Sequence, residues 1–223
     1  MKKINMVLYG ANLTGKTTMA VKFPNHHVIS LDGNAQYVTD SYTNVNNYAE
    51  FMKVFNEHDK AGNVIVIDTA NILLNWVRYE HLEGMGIEYE ADANDHGRTW
   101  DMLKKMYVKL MENLTTKSEA SIIFLFHETE VQEEDEIGVS HTVYMPLIPS
   151  TRVAGEIFAS MTLVGRTVRA KGKYGIDFGT KDNYKFTGAR MPHKKKTIMA
   201  DLESFKENFP IVFSDEKTAQ KKD

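Results

Sequence analysis

Cysteine is absent from the 223-residue chain, which excludes both a disulfide framework and a thiolate metal site. Long apolar runs are missing as well. The first of them, in "MKKINMVLYG", breaks at Gly10, too short for a signal-peptide core and far short of a membrane span. The expectation is a soluble, cytoplasmic protein with no membrane partner. No stretch is rich enough in Pro, Gly or Ser to mark a linker, no internal repeat is visible, and arginine is sparse. The eight histidines include His26, His27, His141 and His193, none spaced as metal ligands, so surface or turn positions are expected for those four.

What remains, 42% hydrophobic residues in a chain of ordinary length, suffices for one α/β domain over residues 1–213, with 214–223, "SDEKTAQKKD", as a disordered polar tail. The apolar runs alternate with helical periodicity. "INMVLYG", "HHVISLD", "NVIVIDTA" and "ASIIFLFHE" read as strands closed by Gly10, Asp32, Asp68 and His127. A helix after Gly15 ends by Pro24, "VNNYAEFMKVFNEHD" has helical spacing, and residues 99–115 form an amphipathic helix whose Met and aromatic stripe serves core packing. Buried apolar strands separated by helices imply a mostly parallel sheet with helices on both faces, where ligands gather at the carboxyl ends. From about Ser160 the pattern alternates, so "ASMTLVGRTVRAK" and "GIDFGTKDNYKFTGAR" are expected as antiparallel strands extending the sheet edge, before a short helix in "ADLESFKENFP".

One motif stands out. Gly10, Gly15, Lys16 and Thr17 match G-x-x-x-x-G-K-[ST] between a strand and a helix, the context a P-loop requires. The loop Gly10, Ala11, Asn12, Leu13, Thr14, Gly15, Lys16, Thr17 and Thr18 is therefore expected to bind ATP. Its N–H groups cradle the phosphates, Lys16 reaches the β- and γ-phosphates, and the Thr17 hydroxyl ligates Mg²⁺. Asp68, ending an all-apolar strand downstream of such a loop, is placed to complete the Mg²⁺ site. Thr69 follows it where many P-loop ATPases keep a water-activating glutamate, so a base must come from elsewhere. Asp32, as a general base, and His127, as a γ-phosphate sensor, are the candidates.

Together "GANLTGKTT", "VIVIDTA", "IIFLFHE" and "FTGAR" resemble the phage and bacterial RecA-like AAA-type ATPases, including the small phage single-strand-annealing recombinases that consist of a RecA core alone, over roughly residues 4–195. The resemblance implies a RecA-like P-loop NTPase fold, ATP with Mg²⁺, and a homo-oligomeric ring or filament. It also implies single-stranded DNA and a single-strand-binding protein as partners, in the host bacterial cytoplasm if the chain is phage-encoded. It places His127 at the γ-phosphate sensor and Arg190 near the cation offered to a neighbouring subunit. Where the family commonly has a catalytic Glu two residues after the strand-end Asp, this chain has Asn34, which positions water without accepting its proton and implies slow turnover.

Charge is unevenly spread. Residues 119–136 hold seven acidic residues and no Lys or Arg, whereas 166–196 hold ten Lys or Arg against Asp177 and Asp182. The acidic segment after His127 is a poor DNA footprint, so Arg169, Lys171, Lys173 and Lys194 to Lys196 are the expected phosphate contacts. Tyr174, Phe178, Tyr184 and Phe186, interleaved with them, suit either base stacking or the buried face of a hairpin. Two rival readings share the P-loop: a small-molecule or nucleotide kinase, with Arg166, Arg169 and Arg190 clamping the transferred group, and a nucleotide-binding accessory subunit with little turnover.

Overall fold

Strand β1 (Asn5–Gly10) is buried along its apolar length because its alternate side chains enter cores on both faces and both of its edges are taken: β5 (Ser121–Glu134) and β7 (Leu163–Ala170) pair with it in parallel. The computed structural model describes residues 1–134, 136–179 and 183–214; most of the 214–223 tail thus lies outside the described residues. Beyond β5 lie β4 (Val64–Asp68), β2 (His26–Ser30) and β3 (Tyr42–Asn44), all parallel. Beyond β7 lie β8 (Lys173–Asp177) and β10 (Thr197–Met199), each antiparallel to its neighbour. The order is β10-β8-β7-β1-β5-β4-β2-β3, with β6 (Ser140–Pro146) paired to β5 and β9 (Gly188–Ala189) paired to β7.

Helices cover both faces. Against one pack α2 (Tyr48–His58), α3 (Ala70–Gly84), α4 (Arg98–Thr116) and α5 (Thr151–Phe158), through Phe51, Leu73, Leu103, Tyr107 and Ile157. Asn47 and Ser150 start α2 and α5 by accepting backbone N–H bonds from Glu50 and Val153, the cap that satisfies a helix's orphan donors. The other face carries α1 (Lys16–Ala20), α6 (Leu202–Asn208) and α7 (Pro210–Phe213). There Phe205 stacks edge-on to Phe23 at 5.1 Å and lies 4.8 Å from Phe209, so the chain's last helices close over its first.

Three expectations need correction. β7 is an interior strand parallel to β1, and on its side of the sheet the antiparallel pairing begins with the strands after it; its alternating sequence reflects a buried start and a carboxyl half that leaves β1 to form a hairpin with β8. β5 does not stop at His127 but runs on to Glu134, because β6 returns alongside it and satisfies the extended backbone, so the acidic segment is a hairpin arm. β2 ends at Ser30, leaving Asp32 in the loop beyond.

Candidate nucleotide site

The phosphate loop joins β1 to α1, and its shape depends on two glycines. Gly15 has φ +84°, and a Cβ there would lie 3.1 Å from the ring of Tyr174 on β8. At Gly10 a Cβ would meet Thr167 Oγ1 on β7 at 2.3 Å, so only glycine permits that approach. Thr14 closes the contact: its hydroxyl donates to Ala11 O at 2.7 Å and lies 2.7 Å from Thr167 Oγ1. Lys16 folds back over the loop, donating to Gly10 O and Ala11 O at 2.8 Å each. Burial pushes its pKa down, opposed by the charges of Asp68 and Glu128.

The sheet order brings the remaining groups in. β5 lies between β1 and β4, and its His127 is level with Gly10, so the imidazole stands between the loop and the strand that carries Asp68. Thr17 Oγ1 donates to Asp68 Oδ2 at 2.7 Å, across the top of that intervening strand. Asp68 is 5% exposed. Its burial raises the carboxyl pKa to about 6, with the Thr17 hydrogen bond pulling down and the nearby Asp32 charge pushing up. His127 Nδ1 is buried and has no hydrogen-bond partner among the described residues, and burial together with the Lys16 charge holds the ring's pKa down. Its backbone N–H donates to Asn71 Oδ1 at 3.4 Å.

One cavity is lined by Asn12, Gly15, Lys16, Thr17, Asp32, Asn34, Asp68 and His127. Asp32 is already engaged there: Oδ1 accepts from Asn34 N at 3.0 Å, and Oδ2 from Asn34 Nδ2 at 2.9 Å and Thr69 Oγ1 at 3.4 Å. Arg190 stands elsewhere. It follows β9, which pairs with the start of β7, and its guanidinium donates to Met161 O at 3.0 Å and to Ala159 O just past α5, away from its own chain's phosphate loop.

Sequence reasoning missed several contributors. Glu128, one residue beyond His127, forms a two-point ion pair with Arg166 at 2.8 and 3.1 Å. The Arg166 guanidinium also lies 4.3 Å from both the Tyr144 and Tyr184 rings. Burial opposes the Arg166 charge, yet the Glu128 pairing outweighs it and raises the pKa. Tyr174, read as a stacking or hairpin aromatic, and Thr167, a member of an alternating segment, are braces of the loop; no local signal marks a residue whose role is set by a partner more than 150 positions away.

A mostly parallel sheet whose first strand opens into a glycine-bounded loop, with Lys16, Thr17 and a buried Asp68 converging, defines a P-loop nucleotide-binding ATPase. The family model described as "AAA domain" matches residues 2–191, and the chain belongs to that family. A search of the curated proteins finds no match. Among solved structures the chain is similar to the RadB recombinase (10% identity, 84% of each chain, TM-score 0.41). It is also similar to the P4 protein from bacteriophage phi6 in complex with ADP (18% identity, TM-score 0.42), matching 85% of this chain and 59% of that one. A third similarity is to the flagellar accessory protein FlaH from Methanocaldococcus jannaschii (13% identity, 87% of this chain and 83% of that one, TM-score 0.38). Among the described residues no helix is long and apolar enough to cross a membrane.

Proposed function

We propose that the chain is a Mg²⁺-dependent, self-assembling ATPase of slow turnover that couples nucleotide state to single-stranded DNA in recombination or replication, as in phage single-strand annealing, alongside a single-strand-binding protein. The observation that carries the nucleotide chemistry is the Thr17–Asp68 hydrogen bond beside the Lys16 ammonium. A hydroxyl and a buried carboxylate 2.7 Å apart are an oxygen donor pair suited to a hard divalent cation. Thr17 and Asp68 would hold Mg²⁺, which supplies charge neutralisation at the β- and γ-phosphates when bound.

The chain's own groups account for the rest. Lys16 exchanges its two loop carbonyls for phosphate oxygens, a trade of neutral acceptors for charged ones that favours the bound state. His127, whose buried Nδ1 has no partner among the described residues, has hydrogen-bonding capacity for a phosphate oxygen. Asp32 is the nearest candidate base, but Asn34 occupies both of its oxygens, which supports slow hydrolysis. Arg190, remote from its own loop, fits action on a neighbour's nucleotide in a ring or filament. Residues 1–213 form the working ATPase domain in this reading. Of the expected phosphate contacts, Arg169, Lys171 and Lys196 are left to meet DNA, exposed around β7, β8 and β10, while Lys173, Lys194 and Lys195 border a cavity. A kinase reading loses support because Arg166 is committed to Glu128 and two tyrosines.

The test is ATP hydrolysis by the purified protein with and without single-stranded DNA at low salt. Stimulation that is lost in Asp68→Ala supports the proposal. Absence of stimulation together with phosphoryl transfer to a nucleoside acceptor would overturn it in favour of the kinase.

A further inference from the structure

Two surfaces outside the nucleotide site carry opposite charge, each beside apolar side chains. The first is the hairpin β5–β6. Glu130, Glu134 and Glu136 are exposed on it and have no ion pair among the described residues, while Glu133 pairs with Lys185. Next to them Ile137 is 83% exposed and Val139 55%, two large aliphatic side chains held away from the core. Neighbouring exposed aliphatic residues rimmed by charge suit an interaction site where they act as one patch.

The second surface is a cavity of about 360 Å³ between β8, β10 and α6, floored by Val168, Ala170 and Ile198 and bordered by Lys173, Lys194 and Lys195. The lysine pair is fixed in place. The buried Asn208 side chain accepts from Lys194 N at 3.0 Å and Lys195 N at 2.7 Å, and donates to Lys195 O at 3.1 Å. Among the described residues none of the three ammonium groups has an ion pair, and Glu207 is the one carboxylate in the lining.

We infer that the hairpin of one copy docks into this cavity on the next, with Ile137 and Val139 entering the apolar floor and Glu130, Glu134 and Glu136 meeting Lys173, Lys194 and Lys195. The inference rests on the self-assembly proposed above and names its two faces. Because the faces are different patches of one chain, the contact is head-to-tail, the type that generates rings or open filaments. It also reaches the nucleotide. Tyr174 lines the cavity and lays its ring against Gly15 of the phosphate loop, so a neighbour seated there touches the residue that braces the loop.

The experiment is sedimentation velocity of the full chain over a range of concentrations with ATP and Mg²⁺, on two charge-reversed variants, Glu134→Lys/Glu136→Lys and Lys173→Glu/Lys195→Glu, whose folding is checked by thermal unfolding. Each alone should raise the concentration for half-assembly by about tenfold or more, and an equimolar mixture should restore assembly, since each altered face then meets its complement. Wild-type protein that assembles while both variants assemble equally well, or a mixture that stays dissociated, overturns these faces and leaves self-assembly standing. A wild-type monomer at every concentration overturns both. If Lys173→Glu/Lys195→Glu weakens ATP binding but not inorganic triphosphate binding, with assembly unchanged, the cavity holds a nucleobase and the docking inference falls. It falls equally if only single-stranded DNA binding is lost.

Discussion

Two five-residue strands end in the same dipeptide, Ile-Asp: "VIVID" in β4 and "KYGID" in β8. β4 is buried throughout and runs parallel to β5, so its terminal Asp68 emerges beside the phosphate loop and meets Thr17. β8 is exposed at its start and runs antiparallel to β7, so its carboxyl end points away from that loop. There Asp177 Oδ1 accepts from Gly179 N at 2.9 Å and shapes a turn. Strand direction, a property of the whole sheet, decides which of two identical endings can take part in chemistry. In the parallel half the candidate site groups gather at the carboxyl ends of the strands, whereas the antiparallel half carries aromatic packing and surface charge.

That contrast can be broken deliberately. The largest effect is expected from Lys16→Ala in the parallel half: ATP turnover should fall by roughly a hundredfold to a thousandfold while the urea midpoint barely moves, which steady-state kinetics and unfolding curves check together. The converse variant is Phe205→Ala, under the antiparallel half. Removing a ring that is fully buried against Phe23, Phe178 and Phe209 should cost about 3–5 kcal/mol of stability by urea unfolding. At the seam, Arg166→Ala strands Glu128 in a site where the paired side chains are only 13% and 11% exposed, and should cost about 3 kcal/mol. Replacing both partners by Met should recover much of that loss if the cost comes from the orphaned charge.

The smallest effect concerns His27 on β2, stacked on His58 at 3.5 Å. Burial, then the neighbouring His58 and His26, lower its pKa from 6.5 to about 4. The unfolded chain binds this proton more readily, so its contribution is present above pH about 6.5, is lost as pH falls from there toward about 4, and is flat below. His27→Gln should flatten the dependence of Tm on pH across that window, as read by calorimetry.

The parallel half was legible because its signals are local. "INMVLYG" and "NVIVIDTA" are continuous apolar runs with a glycine or an aspartate at the end, and Gly10 to Thr18 is contiguous. The edge was not, for a reason visible in β7. Its first residues are buried beside β1 while Arg169 and Ala170 are exposed, so one strand averages two environments and reads as simple alternation. The reach of β5 past His127 was hidden for a related reason: the acidic residues from Glu128 onward look like a loop until β6 is known to pair with them. Asp32 shows what sequence omits at a site. The residues Asp-Gly-Asn were plain, but that Asn34 would hold both carboxylate oxygens depends on a loop conformation with Gly33 at φ +76°.

The hydrogen bond between Thr14 and Thr167 joins residues 153 positions apart. During synthesis the ribosome delivers β1 and its loop first, yet β1 gains its second parallel neighbour only with β7, and Gly10 and Thr14 gain their brace only when Thr167 emerges. The full set of contacts that brace the loop is thus among the last features the nascent chain acquires, although the loop's motif is among the first residues made.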